Sequence, residues 1–128
     1  MKSVKIETLK FLIWLENDIL FLQYKKGADV EIEDIYEYNQ IINELGEGKR
    51  FPMLIDARLG SSVSPEARDF AASPESANLK LASAIVVNTF SNKLIANFYI
   101  NFNKPVIPVK VFSSINEALD WLKQFHVK

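Results

Sequence analysis

The sequence predicts an α/β fold: a single mixed β-sheet in which an N-terminal antiparallel hairpin joins parallel strands, covered by helices, in the order ββαβαβαβα. Three observations predict it. Two strand-like runs flank a short polar turn near the N-terminus. Three short and nearly all-apolar runs, FPMLIDA, ASAIVVN and VKVF, follow at intervals, as strands buried on both faces of a parallel sheet require. Between them stand segments whose apolar residues recur every three or four positions, the period of an amphipathic helix.

Taken in order, Thr8 to Glu16 (TLKFLIWLE) and Ile19 to Tyr24 (ILFLQY) meet at Asn17-Asp18, a polar hairpin turn that lacks the favoured glycine. From Glu31 to Leu45 the apolar side chains Ile35, Tyr38, Ile42 and Leu45 fall on one helical face. Acids crowd its start, and Gly46 and Gly48 follow its end. Phe51 to Ala57 reads as a buried strand, and Ser64 to Leu81 as a helical region interrupted at Pro74. The recurrence of Ser-Pro-Glu at Ser64 and Ser73 marks two helix starts: serine caps, proline suits the first turn, and glutamate complements the dipole. Ala82 to Asn88 is the second buried strand. Leu94, Ile95, Phe98, Tyr99 and Phe102 form the apolar face of a helix that Asn103 and Pro105 close. Val109 to Phe112 is the last strand. A helix from Ile115 to Phe125 ends the chain, with Ile115, Ala118, Leu119, Leu122 and Phe125 inward. No linker and no internal repeat interrupt this order, so residues 1–128 read as one domain.

Composition narrows the function. A chain of 128 residues buries roughly two-thirds of its unfolded surface and needs no staples. With no cysteine, disulfides, thiolate catalysis and cysteine-bound zinc are excluded, which suits a reducing, cytoplasmic setting. The N-terminal apolar patch Phe11 to Leu15 is too short for a signal-peptide core or a membrane span. Fifteen basic and sixteen acidic side chains give a net charge of −1 without a basic block, which argues against nucleic acid.

The stretch LGSSVSPEARDF, Leu59 to Phe70, places Ser61, Ser62 and Ser64 between a strand and a helix, where a nucleophile can sit. A serine nucleophile needs a base, and the one histidine, His126, lies beyond the last apolar turn. The nucleophile elbow also fails, because serine stands where its second glycine belongs. No histidine pair, acidic metal cluster or glycine-rich phosphate loop is present, so no metal and no cofactor are assigned.

What remains is positional. In open α/β sheets ligands gather outside the carboxyl ends of parallel strands, here Asp56 to Ser64, Asn88 to Lys93 and Ser113 to Asn116. Ser64, Ser91 and Ser113 or Ser114 are read as helix caps, with an anion held at the helix starts as the alternative. Asp56, at the end of an apolar strand, either pairs with Arg58 or Arg68 or accepts amide bonds from the following loop. Phe90, Phe98, Tyr99 and Phe102 are read as core, with Tyr99 and Phe102 as a possible ligand or dimer surface.

The order of elements, Ile55-Asp56 followed by a serine-bearing loop, PEARDFAAS (Pro65 to Ser73), AIVVNTFSNKLIANFYINFNKPVIPVKVF (Ala84 to Phe112) and INEALDWLK (Ile115 to Lys123) resemble the SpoIIAA-like group of STAS-type domains, also described as STAS/SEC14-like. The resemblance implies a non-enzymatic regulatory or ligand-binding module. In anti-sigma-factor antagonists of that group, a serine in the loop after the central strand is phosphorylated to break binding to a partner kinase. By position this puts Ser61 and Ser62 as candidate phosphorylation sites. Here Asp56 is followed by Ala57-Arg58-Leu59-Gly60 before the serine pair, and Val63 replaces the family's glycine.

The expectation is therefore a non-enzymatic cytoplasmic module that binds a partner protein through a strand-end surface containing Asp56, Arg58, Ser64, Arg68, Asn88, Ser91 and Asn92. The alternative is a small-molecule or lipid carrier whose apolar ligand uses the aromatic helix and the strand-end crevice. A homodimer through a sheet edge and that helix is compatible with either.

Overall fold

A computed structural model of the chain describes residues 4–126. Its main sheet has six strands in the order β1 (Ile6–Glu7), β2 (Phe11–Glu16), β3 (Ile19–Tyr24), β5 (Phe51–Asp56), β7 (Lys80–Val86) and β8 (Val109–Phe112). The pairs β1/β2 and β2/β3 are antiparallel, and the remaining three are parallel. The expected mixed sheet is present. Its hairpin turns on Asn17 and Asp18, both at positive φ (51° and 60°), the backbone that matches strand twist in a two-residue turn.

The helices are α1 (Ile32–Leu45), α2 (Pro65–Ala72), α3 (Pro74–Ala77), α4 (Phe90–Phe98) and α5 (Ile115–Leu122). Two layers of core flank the sheet. On one face Phe11, Ile13, Leu20, Leu22 and Met53 pack with Ile35, Tyr38 and Ile42 of α1 and Ala67 of α2. On the other, Leu54, Ala82, Ala84, Val86 and Phe112 pack under Ala118 and Leu122 of α5. The division follows from the period of two along each strand: neighbours such as Met53 and Leu54 point to opposite faces.

Besides the added edge strand β1, which lies outside the expected hairpin, three details depart from the sequence reading. A short parallel bridge, β4 (Asp29–Val30) with β6 (Ser62–Val63), ties the serine loop to the segment before α1. It is reinforced where Gly60, at φ +87°, accepts from the Gly27 amide. Pro74 does interrupt the second helical region, but α3 lasts only four residues. Thirdly, α4 passes directly into a π-helical turn, Tyr99–Asn103, that Lys104 ends at φ +50°.

The aromatic helix is the main correction. Of α4's residues Ala96 is buried, whereas Phe90, Leu94, Ile95, Phe98 and Phe102 beyond it are exposed. Phe98 and Phe102 stack on each other at 5.0 Å on the outer surface. The expected core role of Phe90, Phe98 and Phe102 therefore fails, because α4 turns a small residue to the sheet and its large ones away. No helix among the described residues is long and apolar enough to cross a membrane.

Candidate functional site

Because α4 meets the sheet through alanine, a cleft of about 210 Å³ opens beneath it. Its floor is Ile55 and Ala57 from the end of β5, with Ile85 and Val87 from β7. One wall is α2, through Arg68 and Ala71. The other is α4 and its π-helical extension, through Asn92, Ile95, Ala96 and Tyr99. Tyr24 of β3, with Ile35 and Tyr38 of α1, closes the inner end, and Ser61, Ser62 and Val63 stand at the loop end. The cleft lies outside the carboxyl ends of the parallel strands, where ligands of open α/β sheets are found.

Three tyrosines distinguish the site from ordinary core. Tyr24 and Tyr38, 5% and 2% exposed, are the most buried polar residues on its lining. Burial, followed by the nearby Tyr99, holds the Tyr24 hydroxyl far above its ordinary pKa. For Tyr38 the same direction comes from burial, then from Tyr24 and Tyr99. Burial pushes Tyr99 up to about 12. All three are neutral hydrogen-bonding groups near pH 7. Tyr24 and Tyr38 lie close enough for each to affect the other's hydroxyl, and none of the three hydroxyls is a buried atom left without a partner among the described residues.

Arg68 supplies the cleft's positive charge. Its Nη1 donates to the Val63 carbonyl at 2.8 Å. Among the described residues no carboxylate lies within ion-pair distance of it. Arg58 is different, since its Nε and Nη2 each donate to a carboxylate oxygen of Asp56 at 2.9 Å.

The structure separates the sequence-predicted residues into groups. Ser61, Ser62, Arg68 and Asn92 line the cleft together. Asp56 does not, because Ile55 faces the cleft and strand alternation turns Asp56 to the α5 side of the sheet. There it takes Arg58 rather than Arg68, accepts the Arg58 amide at 3.1 Å, and meets Gln23 at 3.4 Å. Burial by itself would raise the Asp56 carboxyl, but the bonds and charge of Arg58 outweigh it and hold its pKa below the ordinary value.

Ser64 caps α2 by accepting from the Ala67 amide at 3.2 Å, and Ser114 caps α5 from Glu117 at 3.3 Å. Ser91 does not cap: Thr89 holds that position on α4, accepting from the Asn92 amide at 3.1 Å. Ser73 precedes α3, yet its hydroxyl donates to the Phe70 carbonyl instead of capping. Asn88 and Ser91 are exposed outside the cleft. Ser62 donates to Asp29 Oδ1 at 2.7 Å.

Sequence reasoning missed Tyr24, Tyr38 and the alanines Ala57, Ala71 and Ala96. Tyr38 was legible only as one member of α1's apolar stripe. The available signal was hydroxyls on two inward faces opposite small residues, which needs the pairing of elements to be known.

A family model described as a domain of unknown function (DUF7793) matches residues 13–126. No curated protein sequence matches the chain. Among solved structures, the chain is similar to an uncharacterised protein of the DUF3478 family from Shewanella loihica PV-4, described as having a SpoIIAA-like fold. The TM-score is 0.60 at 20% identity, covering 91% of this chain and 98% of that one. That likeness shows the fold, which is SpoIIAA-like. A protein of unknown function from Arthrobacter sp. FB24 is 23% identical over 88% of this chain and 99% of that one, at a TM-score of 0.33, too low to speak for a shared fold.

Proposed function

The chain belongs to the DUF7793 family of unknown function, and we propose that it is a non-enzymatic domain holding a small, largely apolar molecule between α2, α4 and the sheet. The observation that carries this is the cleft: apolar walls, about 210 Å³ of space, and a few inward polar groups, the usual make-up of a small-molecule site.

Binding rather than catalysis is favoured by the state of the polar groups. The tyrosines are protonated near pH 7 and are poor bases. The Ser62 hydroxyl is engaged as a hydrogen-bond donor to Asp29, and Arg68 Nη1 is engaged with the Val63 carbonyl. Native mass spectrometry of freshly purified protein tests the reading. A co-purified small mass, lost on denaturation, is the expected result. A clean apo mass, together with no change of thermal midpoint across a panel of small apolar compounds, would sink it.

A second reading, a regulatory module that binds a partner protein as anti-sigma-factor antagonists do, draws on one observation. Phe90, Leu94, Phe98 and Phe102 expose 52–76% of their surface along α4 and its extension, an apolar strip of the kind that marks interaction surfaces. Here Phe98→Asp with Phe102→Asp should abolish pull-down of a specific partner. If the double variant retains every partner of the wild type, this surface is not the contact.

A further inference from the structure

We infer that the cleft takes a monocarboxylic acid whose apolar body is about the size of one benzene ring and whose far end carries a hydroxyl or carbonyl, the acid pairing with Arg68 and the far end meeting the tyrosine hydroxyls. The inference rests on the carrier reading above and adds the ligand's chemistry. It starts from size. An apolar cavity of about 150 Å³ is enough for benzene, while drug-sized ligands need roughly 300 Å³ or more. At about 210 Å³ the cleft lies between these. It has room for one ring and two small substituents.

Polarity then fixes the two ends. At the loop end Arg68 holds its guanidinium on the cleft wall, with one N–H given to the Val63 carbonyl and no carboxylate among the described residues to balance its charge. The planar fork of an arginine suits a carboxylate, which can take two parallel bonds. Asn92 and Ser61, on the same cleft, offer neutral donors to a second oxygen. The contrast with Arg58 is informative: on the other sheet face an equally apolar strand end supplies its own acid, Asp56.

At the inner end Tyr24, Tyr38 and Tyr99 bring three hydroxyls into the apolar interior. None of the three hydroxyls is a buried atom left without a partner among the described residues. On the cleft lining they can meet a neutral oxygen of a ligand, the kind of partner a tyrosine hydroxyl takes. A second anion beside these buried tyrosines would be disfavoured by desolvation.

Backbone amide NMR titration of the full chain tests the inference with four probes: 4-hydroxybenzoate, benzoate, methyl 4-hydroxybenzoate and toluene. We expect 4-hydroxybenzoate to shift the resonances of Ser61, Arg68 and Asn92 and to bind about tenfold more tightly than either the ester or benzoate, one charge-assisted or buried hydrogen bond being worth about that factor. Arg68→Gln should abolish the preference for acid over ester, and Tyr99→Phe should narrow the preference for 4-hydroxybenzoate over benzoate. Equal binding of acid and ester to the wild type, or binding of toluene alone, overturns this inference and leaves the carrier reading standing. If no probe perturbs the cleft, toluene included, both fall.

Discussion

Ser62 and Asp29 face each other across the bridge between β6 and β4, with the Ser62 hydroxyl donating to Asp29 Oδ1 at 2.7 Å. The serine that the family resemblance nominates for phosphorylation is thus bonded to a carboxylate. A phosphate there, with nearly two negative charges, would meet Asp29 and open the bridge. We expect Ser62→Glu to destabilise the protein by under about 1 kcal/mol, since both side chains are exposed. Asp29→Asn should remove that cost. A denaturant double-mutant cycle measures the coupling, and a coupling of zero would mean that the pair has no influence on the loop.

Asp56 gives a larger effect. It is 7% exposed and holds both the side chain and the amide of Arg58. Asp56→Ala should cost about 1–3 kcal/mol in chemical denaturation, because it orphans these donors. Its lowered pKa also fixes a sign. The native state binds the proton less readily than the unfolded chain, whose value is near 3.8. The stability it contributes is therefore full above that pH and is lost as pH falls through the native value. Asp56→Asn should flatten this part of the acid limb.

Lys80 acts in the opposite direction. It is 3% exposed, its ammonium lies 5.6 Å above the Tyr38 ring, and burial lowers its pKa to about 8. Below pH 8 both states carry the proton and the native state bears the penalty of a buried charge, on the order of 3 kcal/mol before the ring offsets part of it. Between about pH 8 and the unfolded value of 10.5, only the unfolded chain holds the proton, so stability rises with pH. The buried tyrosines reverse the trend above pH 10, where the unfolded chain ionises first. Stability should therefore peak between pH 9 and 10. Lys80→Met should raise stability at pH 7 by about 1–3 kcal/mol and remove the rise. A flat wild-type profile from pH 7 to 10 would contradict this.

Filling the cleft separates binding from folding. Ala71→Leu projects from α2 into the open space, so the fold should tolerate it within about 1 kcal/mol. Any ligand signal should fall by tenfold or more. A loss of several kcal/mol would instead mean that α2 and α4 already touch there.

On the outer surface, Phe102 is 68% exposed. Phe102→Ser should change stability by no more than about 0.5 kcal/mol, whereas a core phenylalanine would lose several. Thermal denaturation decides between the two.

The sequence by itself determined the sheet and its helices. The three apolar runs, the Asn17-Asp18 turn and the stripe Ile35, Tyr38, Ile42 and Leu45 are local patterns whose periods match one element each. It also identified Ser64 as a cap, because capping joins residues three apart in the chain. Only the tertiary structure decided the site. That Asp56 faces α5 while Ile55 faces the cleft depends on which face each helix covers. That Phe98 points outward while Tyr99 points in depends on how α4 seats its Ala96 on the sheet. Apolar periodicity records that a helix has two faces, and not which neighbour meets either one. Tyr24, Tyr38 and Tyr99 come from three separate elements, and folding alone brings them to one cavity.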